Sequence, residues 1–347
     1  MRPIEPIKAT IEMPTPKISD LDWYNTTKLD KYASDAMMYF IVGARRIGKT
    51  LHFQKKAFEL YRDTGLQTMW IRNKKVEFAD PSFITDFLNA GRKFGWVDDD
   101  WFTQPDGVYN EDGENVIKFQ SISTFSNRRG NMTDDVGMIV FDEFMPEDRR
   151  YPKRAHIGLM SLTKTVLSGK RDAKCYCLSN FISAANPYWV GFQIYPKQNL
   201  DVTNFSDKGL AIEVCRGYKC AIEDDNPWNR VYKAGGYQDY ASEQEDSLFQ
   251  LIQKVPKGGK PHPFYIKSQG VVYGGTWYNG MLYWHVYNNT IHDGYIFATT
   301  LQETSDKISI IPPFLKRDLK EYMQENIMRF QNANVMYAIL SILFETV

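Results

Sequence analysis

A short segment near the N-terminus carries the residue types and spacing of a phosphate-binding loop. It follows a continuous apolar run, residues 37–42, and consists of Gly43, Ala44, Arg45, Arg46, Ile47, Gly48, Lys49 and Thr50. In such a loop the glycines permit a tight turn and close backbone approach, the lysine meets the β- and γ-phosphates, and the threonine hydroxyl coordinates magnesium. Residues 51–61 are predicted to form a helix, whose N-terminal dipole and free N–H groups favour phosphate. The segment therefore predicts a site for ATP and Mg²⁺.

Polar residues also end two later apolar runs. Residues 137–141 are predicted to form a buried strand that ends at Asp142 and Glu143, and residues 175–179 form another that leads into Asn180. Acids at the C-terminal end of a parallel strand face the ligand crevice of an open α/β sheet. Asp142 is therefore predicted to hold the magnesium shell, and Glu143 to deprotonate an attacking water. The alternative is a solvated acidic turn.

The acid pair favours a hydrolase over a small-molecule kinase, which does not need an activated water. An amide at Asn180 can sense the γ-phosphate, although asparagine also caps loops for purely local reasons. The loop, the acid pair and the sensor strand together predict an ATPase of the additional-strand, catalytic-glutamate class.

Composition is that of a globular protein with ample length for a core. The chain has 347 residues, 43% hydrophobic and 24% charged, and its 42 basic residues balance 42 acidic residues. This balance excludes a surface coated in positive charge, but it does not exclude a local basic groove. No apolar run reaches the ~20 residues that span a bilayer, and the N-terminus does not resemble a signal peptide. The four cysteines contain no CxxC pair and are expected to be reduced thiols rather than zinc ligands: Cys175, Cys177, Cys215 and Cys220.

Alternating strand and helix signals predict a three-layer α/β domain over residues 37–214. A Pro-rich arm, residues 1–36, precedes it, and a polar linker or small subdomain, residues 215–254, follows it. Residues 255–347 are predicted to form an α+β domain. It contains a hairpin that turns at Asn279-Gly280, one helix over residues 315–330 and another over residues 335–344.

The segments GARRIGKT, MIVFDEF and CYCLSN, followed by Ala185-Asn186-Pro187-Tyr188, resemble in order and spacing the genome-packaging ATPases of phi-twenty-nine-like podophages. These double-stranded DNA translocases are related to terminase large subunits and to the FtsK/HerA ATPases. The resemblance implies a RecA-like P-loop domain in a homo-oligomeric ring, a pentamer in that family. The ring docks on the portal vertex of a procapsid in the host cytoplasm, is not part of the mature virion, and in some relatives attaches through a scaffold RNA.

The resemblance also implies roles for individual residues. Lys49 and Thr50 match the nucleotide and magnesium positions, and Arg45 matches an arginine that couples the γ-phosphate state to the catalytic glutamate. Arg46 stands where a relative has glycine. Arg129 falls where the family carries a basic residue that acts on the neighbouring subunit, and Arg171 is the second candidate, because the family's arginine-finger position appears here as Ser168. The alternative for both arginines is a solvated surface charge.

The C-terminal domain occupies the place of the RNase H-like nuclease of large terminases. Nuclease chemistry needs several carboxylates around two metal ions, but residues 264–278 and 281–287 contain no Asp or Glu. Asp293 and Glu303 follow later and do not make such a cluster by themselves. The sequence therefore predicts a nuclease-like fold without cleavage activity.

Three other readings stay open. They are a ring helicase or another P-loop DNA translocase, a nucleotide-dependent switch with negligible turnover, and a terminase with an active nuclease. Cations that would grip duplex DNA are not identified by the sequence, although Arg72, Lys74 and Lys75 are candidates.

Overall fold

The computed structural model describes residues 23–74, 78, 81–125, 135–148, 150–180, 182–218, 231, 234, 250–287 and 294–344. Two β-sheets lie in these ranges, one up to residue 215 and the other from residue 260 onward. Helices cover both faces of the first sheet.

The first sheet is mainly parallel. Within the described ranges its order is β3-β4-β5-β2-β6-β7-β1-β9-β8. Its central strands pair in parallel, and only the pairs at its two edges are antiparallel. The strands are β1 (Met38–Gly43), β2 (Gln67–Arg72), β3 (Phe102–Gln104), β4 (Gly107–Tyr109), β5 (Asn115–Ser121), β6 (Val136–Asp142), β7 (Lys174–Asn180), β8 (Val202–Phe205) and β9 (Leu210–Cys215).

Strand β1 shows why this domain has three layers, with helices on both faces of the sheet. All six of its residues are buried, as the continuous apolar run predicted. Phe40 joins the core beneath α5 and α6, whereas Ile41 joins the opposite core beneath α2 and α3. Burial of each such side chain contributes about 1.5–3 kcal/mol. The helices of this domain are α1 (Thr27–Tyr32), α2 (Lys49–Thr64), α3 (Pro81–Lys93), α4 (Ile122–Phe125), α5 (Ala155–Leu167) and α6 (Pro187–Phe192).

The segment just before β1 is packed, although the sequence predicted an extended arm. Residues 23–36 contact the first domain and include helix α1. Tyr24 and Leu29 are each 2% exposed and belong to the core beneath α2. The backbone N–H of Tyr24 donates to the carbonyl of Ile47 at 2.8 Å. The prolines that suggested an extended arm lie before this segment, and residues 1–22 are outside the described ranges.

The second sheet is mixed, as expected for an α+β domain. In the described part of the chain its order is β14-β13-β10-β11-β12-β15. Asn279 and Gly280 adopt φ of 47° and 75°, which confirms the predicted hairpin turn. Its elements are β10 (Lys260–Ser268), β11 (Val271–Tyr278), β12 (Met281–Val286), β13 (Tyr295–Ala298), β14 (Ile308–Ile310), α7 (Pro313–Gln324), β15 (Met328–Phe330) and α8 (Ala333–Phe344).

The predicted helix over residues 315–330 was too long. Helix α7 ends at Gln324, and Asn326 takes a left-handed φ of 59°. The next residues form β15, which pairs in parallel with β12 and is buried. Ile327 and Phe330 continue the helical spacing of the preceding residues, whereas Met328 and Phe330 have the spacing of a strand, so the apolar pattern does not show where the helix ends.

The two sheets are joined by an apolar contact. Helix α8 packs on α6. The ring of Tyr151, in the first domain, lies 6.1 Å from that of Tyr188 and 6.1 Å from that of Phe344 in α8. Among the described residues, no helix is long and apolar enough to cross a membrane.

Glu213 is a carboxyl group buried within the first sheet. It lies on β9 opposite Ile41 of β1 and is 0% exposed. Tyr24 donates a hydrogen bond to its Oε2 at 2.8 Å, whereas its Oε1 has no hydrogen-bond partner in the described part of the chain. Burial raises the pKa of Glu213 to about 7, although the Tyr24 hydroxyl and the Lys28 charge oppose the shift.

This raised pKa predicts a pH-dependent stability. Because the folded-state pKa lies above the unfolded-state value, the contribution of Glu213 is fully present below pH 4.5 and is lost as the pH rises through about 7. We expect wild type to lose about 1–3 kcal/mol relative to Glu213→Gln between about pH 5 and about pH 8, measured by urea unfolding. The exposed Glu325→Gln is the control. Parallel pH profiles for wild type and Glu213→Gln would contradict this account.

Candidate active site

The loop after β1 has the backbone that phosphate binding requires. A Cβ on Gly43 would lie 2.6 Å from Cβ of Cys215 and 2.8 Å from Cδ1 of Ile47, so only glycine fits. Gly48 takes φ of 88° and caps the N-terminus of α2, which begins at Lys49. The loop N–H groups and the start of a 16-residue helix therefore meet at the C-terminal edge of the sheet.

The ammonium group of Lys49 lies inside this loop. Its Nζ donates to the carbonyls of Gly43 at 3.0 Å and Ala44 at 2.7 Å, and to Oδ1 of Asn180 at 3.5 Å. Burial lowers the pKa of Lys49 to about 8, although the Cys215 and Asp142 charges oppose that shift. An anion in the loop would favour the charged ammonium.

The two predicted acids lie beside the loop and differ in exposure. Asp142 is the last residue of β6 and is 3% exposed, and the Thr50 hydroxyl donates to its Oδ1 at 3.3 Å. Glu143 follows in a left-handed conformation, with φ of 54°, and its side chain is 47% exposed. Asp142 is therefore held within the protein, whereas Glu143 can reach solvent.

A cation that the sequence did not assign to this site bridges the two acids. Arg72, the last residue of β2, contacts Oδ2 of Asp142 through Nη2 at 3.0 Å and Oε2 of Glu143 through Nη1 at 2.5 Å. Its guanidinium also lies 4.8 Å from the centre of the Phe83 ring. In the sequence Arg72 was only a candidate DNA contact. Its position beside the two acids could not be predicted, because β2 is adjacent to β6 only in the folded sheet.

The backbone around Glu143 is held by a hydrogen-bonded pair. The Asn73 amide donates to the carbonyls of Glu143 at 2.8 Å and Phe144 at 3.4 Å, and the Tyr188 hydroxyl donates to Oδ1 of Asn73 at 3.0 Å. A left-handed conformation is costly for a residue with a side chain, so these bonds stabilise an otherwise unfavourable backbone. The sequence assigns neither residue this role, because asparagine and tyrosine are common in loops and cores.

The remaining predicted residues are placed as follows. Arg45 of the loop forms an ion pair with Glu147. Arg171 is exposed in the turn before β7, whereas Asn180 is the last residue of that strand. The two residues therefore lie about 20 Å apart, at opposite ends of the parallel strands. Arg129 and Lys75 lie outside the described residues. Lys74 pairs with Asp148 at 2.7 Å.

The described residues contain no cluster of three or more His, Cys, Asp or Glu side chains that could hold a metal by themselves. The Thr50 hydroxyl and the Asp142 carboxylate nevertheless offer two adjacent hard oxygen ligands. This small set fits Mg²⁺, which keeps several waters and binds nucleotide phosphates together with one or two side chains. Cys175, Cys177 and Cys215 are free and buried, whereas Cys220 lies outside the described residues.

The order of strands defines the class of this domain. Strand β7, which carries Asn180, lies between the P-loop strand β1 and the acid-bearing strand β6. An additional strand at this position, together with Lys49, Asp142 and Glu143, defines a P-loop ATPase fold of the additional-strand class. Residues 19–338 match the family model of the podovirus DNA encapsidation protein (Gp16), so the chain belongs to that family.

Several known proteins are similar to this chain. The DNA packaging protein of Bacillus phage phi29 is 28% identical over 192 residues, which cover 55% of this chain and 56% of the relative; the match therefore spans just over half of that protein. The N-terminal domain of the DNA packaging ATPase of bacteriophage phi29 is 26% identical with a TM-score of 0.50, covering 59% of this chain and 99% of that structure. The phi-28 DNA packaging motor shares the fold, with a TM-score of 0.66 at 17% identity, over 93% of this chain and 98% of that one.

The ion pair between the partly buried Arg72 and the buried Asp142 predicts a large effect on stability. Arg72→Met leaves Asp142 buried without its guanidinium, and we expect the free energy of unfolding to fall by about 3 kcal/mol. Lys74→Met removes an exposed ion pair two residues away and should cost less than about 1 kcal/mol. Urea denaturation of both variants measures the difference. Equal losses would show that the Arg72 bridge does not stabilise this edge of the sheet.

Proposed function

We propose that this protein is an ATP-driven translocase of double-stranded DNA that packages a phage genome into a preformed procapsid. The observation that carries the proposal is the convergence of Lys49, Thr50, Asp142 and Glu143 at one sheet edge. Membership of the DNA encapsidation family supports the coupling of this site to DNA packaging.

Each residue has a role that follows from its position. The loop N–H groups and the Lys49 ammonium would bind the β- and γ-phosphates. Thr50 and Asp142 would hold Mg²⁺, which when bound offsets the negative charge of the phosphates. Glu143 would accept a proton from the attacking water, because its carboxylate is the more exposed of the two acids. Asn180 would contact the γ-phosphate, since its amide already lies beside Lys49.

Hydrolysis also needs a cation that offsets charge on the γ-phosphate in the transition state. Arg171 lies at the edge of the sheet opposite to the P-loop, so within one chain it does not reach the nucleotide. It can act only on a neighbouring subunit, and Arg129 is proposed for the same role. This requirement supports a homo-oligomeric ring, which we propose to be a pentamer. Its partners would be the portal, the procapsid and duplex DNA in the host cytoplasm, with a scaffold RNA as an additional attachment.

A cavity of about 210 Å³ beside the loop is proposed to hold the nucleotide base. Trp23, which packs on Gly48, and His52 of α2 line it. Nε1 of Trp23 and Nε2 of His52 are buried and have no hydrogen-bond partner among the described residues. Burial lowers the pKa of His52 to about 4, so its ring is neutral near pH 7. An indole donor and a neutral imidazole fit the acceptor and donor atoms on the edge of a purine.

We do not propose nuclease activity for the C-terminal domain. Glu303 accepts hydrogen bonds from the backbone N–H of Gly270 at 2.8 Å and from the hydroxyls of Thr299 and Thr300. Its carboxylate therefore links the turn between β10 and β11 to the segment that follows β13. Asp293 lies outside the described residues. Trp284 and Phe264 are buried, which supports a role of the aromatic strands as core.

The assignment of Glu143 predicts a separation of binding from hydrolysis. Glu143→Gln should reduce steady-state ATP hydrolysis at least about 100-fold, because the amide does not accept the proton. Binding of a fluorescent ATP analogue should persist in this variant, whereas Lys49→Ala should lose it. A smaller loss of hydrolysis in Glu143→Gln would show that another group is the general base.

The proposed base site predicts an effect on KM alone. Trp23→Phe keeps the ring but removes the indole N–H, so KM for ATP should rise about five- to tenfold with kcat nearly unchanged. Trp101→Phe is the matched control, because Trp101 is also buried with no hydrogen-bond partner for Nε1 in the described part of the chain. It packs on Phe58 and Tyr61, farther along α2. Equal KM values in the two variants would remove Trp23 from the base site.

A further inference from the structure

A groove of about 310 Å³ lies where the two domains meet. One wall is the segment after β6, with Arg150 and Lys153, and the other wall is α7, with Lys320. Apolar side chains line the rest of it, among them Tyr151 and Phe344. We call this feature the interdomain groove.

The interdomain groove is positively charged although the chain has no net charge. Among the described residues that line it, three are cations and none is a carboxylate. Arg150, Lys153 and Lys320 are all exposed, and the two lysines form no ion pair with any other described residue. The nearby Asp148 carboxylate is already paired with Lys74 at 2.7 Å. The groove can therefore attract a polyanion without first breaking an internal ion pair of its lysines.

The backbone that carries Arg150 is anchored to the first domain and to α8. The backbone N–H of Arg150 donates to Oδ1 of Asp148 at 2.9 Å. Tyr151 packs between Tyr188 of the first domain and Phe344 of α8, so it joins the two walls. A rigid arrangement reduces the conformational entropy that binding would otherwise lose.

The segment that carries Arg150 and Lys153 is also connected to the ATP site. It begins directly after Glu143, and on the way Glu147 pairs with Arg45 of the phosphate-binding loop. Arg150 and Lys153, which line the groove, therefore lie on the same stretch of backbone as Glu143.

We propose that the interdomain groove binds the phosphate backbone of duplex DNA, with Arg150, Lys153 and Lys320 as the contacting cations. This inference rests on the proposed function, and it names the DNA-contacting surface that the sequence did not identify. Exposed lysine and arginine side chains pair with backbone phosphates and carry no information about base sequence. Binding should therefore be independent of DNA sequence and should weaken steeply with salt.

A charge-matched comparison tests the groove. The probe is a short fluorescein-labelled DNA duplex, and binding to the full-length protein with a non-hydrolysable ATP analogue is followed by fluorescence anisotropy at several salt concentrations. The test variant is Lys153→Glu/Lys320→Glu. The control is Lys257→Glu/Lys307→Glu, which changes the net charge equally at two exposed lysines outside the groove.

We expect the test variant to bind about tenfold more weakly or worse at ~0.1 M salt, with a salt slope smaller by about one for each lost phosphate contact. The control should behave as wild type, and basal ATP hydrolysis should be unchanged in both. Equal DNA affinities for the test and control variants would overturn the proposal. The same is true if the test variant loses binding of a short RNA hairpin but not of duplex DNA. If wild type hydrolyses ATP but does not bind duplex DNA, both the translocase function and the groove are rejected. If wild type binds DNA and the test and control variants bind it equally well, only the groove is rejected.

Discussion

The hydrogen-bonded register of three parallel strands determines where the proposed catalytic groups lie. Strand β7 pairs with β1 so that Gly43 is opposite Asn180, and with β6 so that Asp142 is opposite Leu178. Since parallel strands end at the same edge, the loop after β1, the Asn180 amide and the Asp142 carboxylate, which we propose to bind phosphate, sense the γ-phosphate and hold magnesium, are brought within one side-chain length of one another. A slip of one residue in either ladder would turn these side chains to the other face of the sheet. The apolar cores on both faces make such a slip costly.

Charge at that edge is balanced by a second layer of contacts. Arg72 reaches both acids from β2, and Asn73 holds the backbone of Glu143. The Glu143 carboxylate is paired with Arg72, so the proposed activation of a water requires it to leave that ion pair. Its side chain is 47% exposed, which leaves room for such a movement. Because the segment after Glu143 continues to the interdomain groove, the proposed catalytic glutamate and the proposed DNA contacts share one stretch of backbone.

Much of this arrangement could be predicted from the sequence because its signals are local. The phosphate-binding loop, the acid pair and the hairpin at Asn279-Gly280 each depend on neighbouring residues, and all lie where predicted. The role of Arg72 was not predictable, since it depends on the adjacency of β2 and β6 in the sheet. The packed segment before β1 was hidden by the prolines that precede it. Strand β15 was assigned to a helix because its apolar spacing suits both structures, and only its pairing with β12 decides between them.

We propose that ATP hydrolysis at this site moves duplex DNA into a capsid. The amount of linear double-stranded DNA that becomes resistant to DNase, when the full-length protein is mixed with purified procapsids and ATP, tests this proposal. Protection should require ATP, procapsids and an intact Glu143 together. Separation of DNA strands without any procapsid-dependent protection would contradict it, and would identify the protein as a helicase instead.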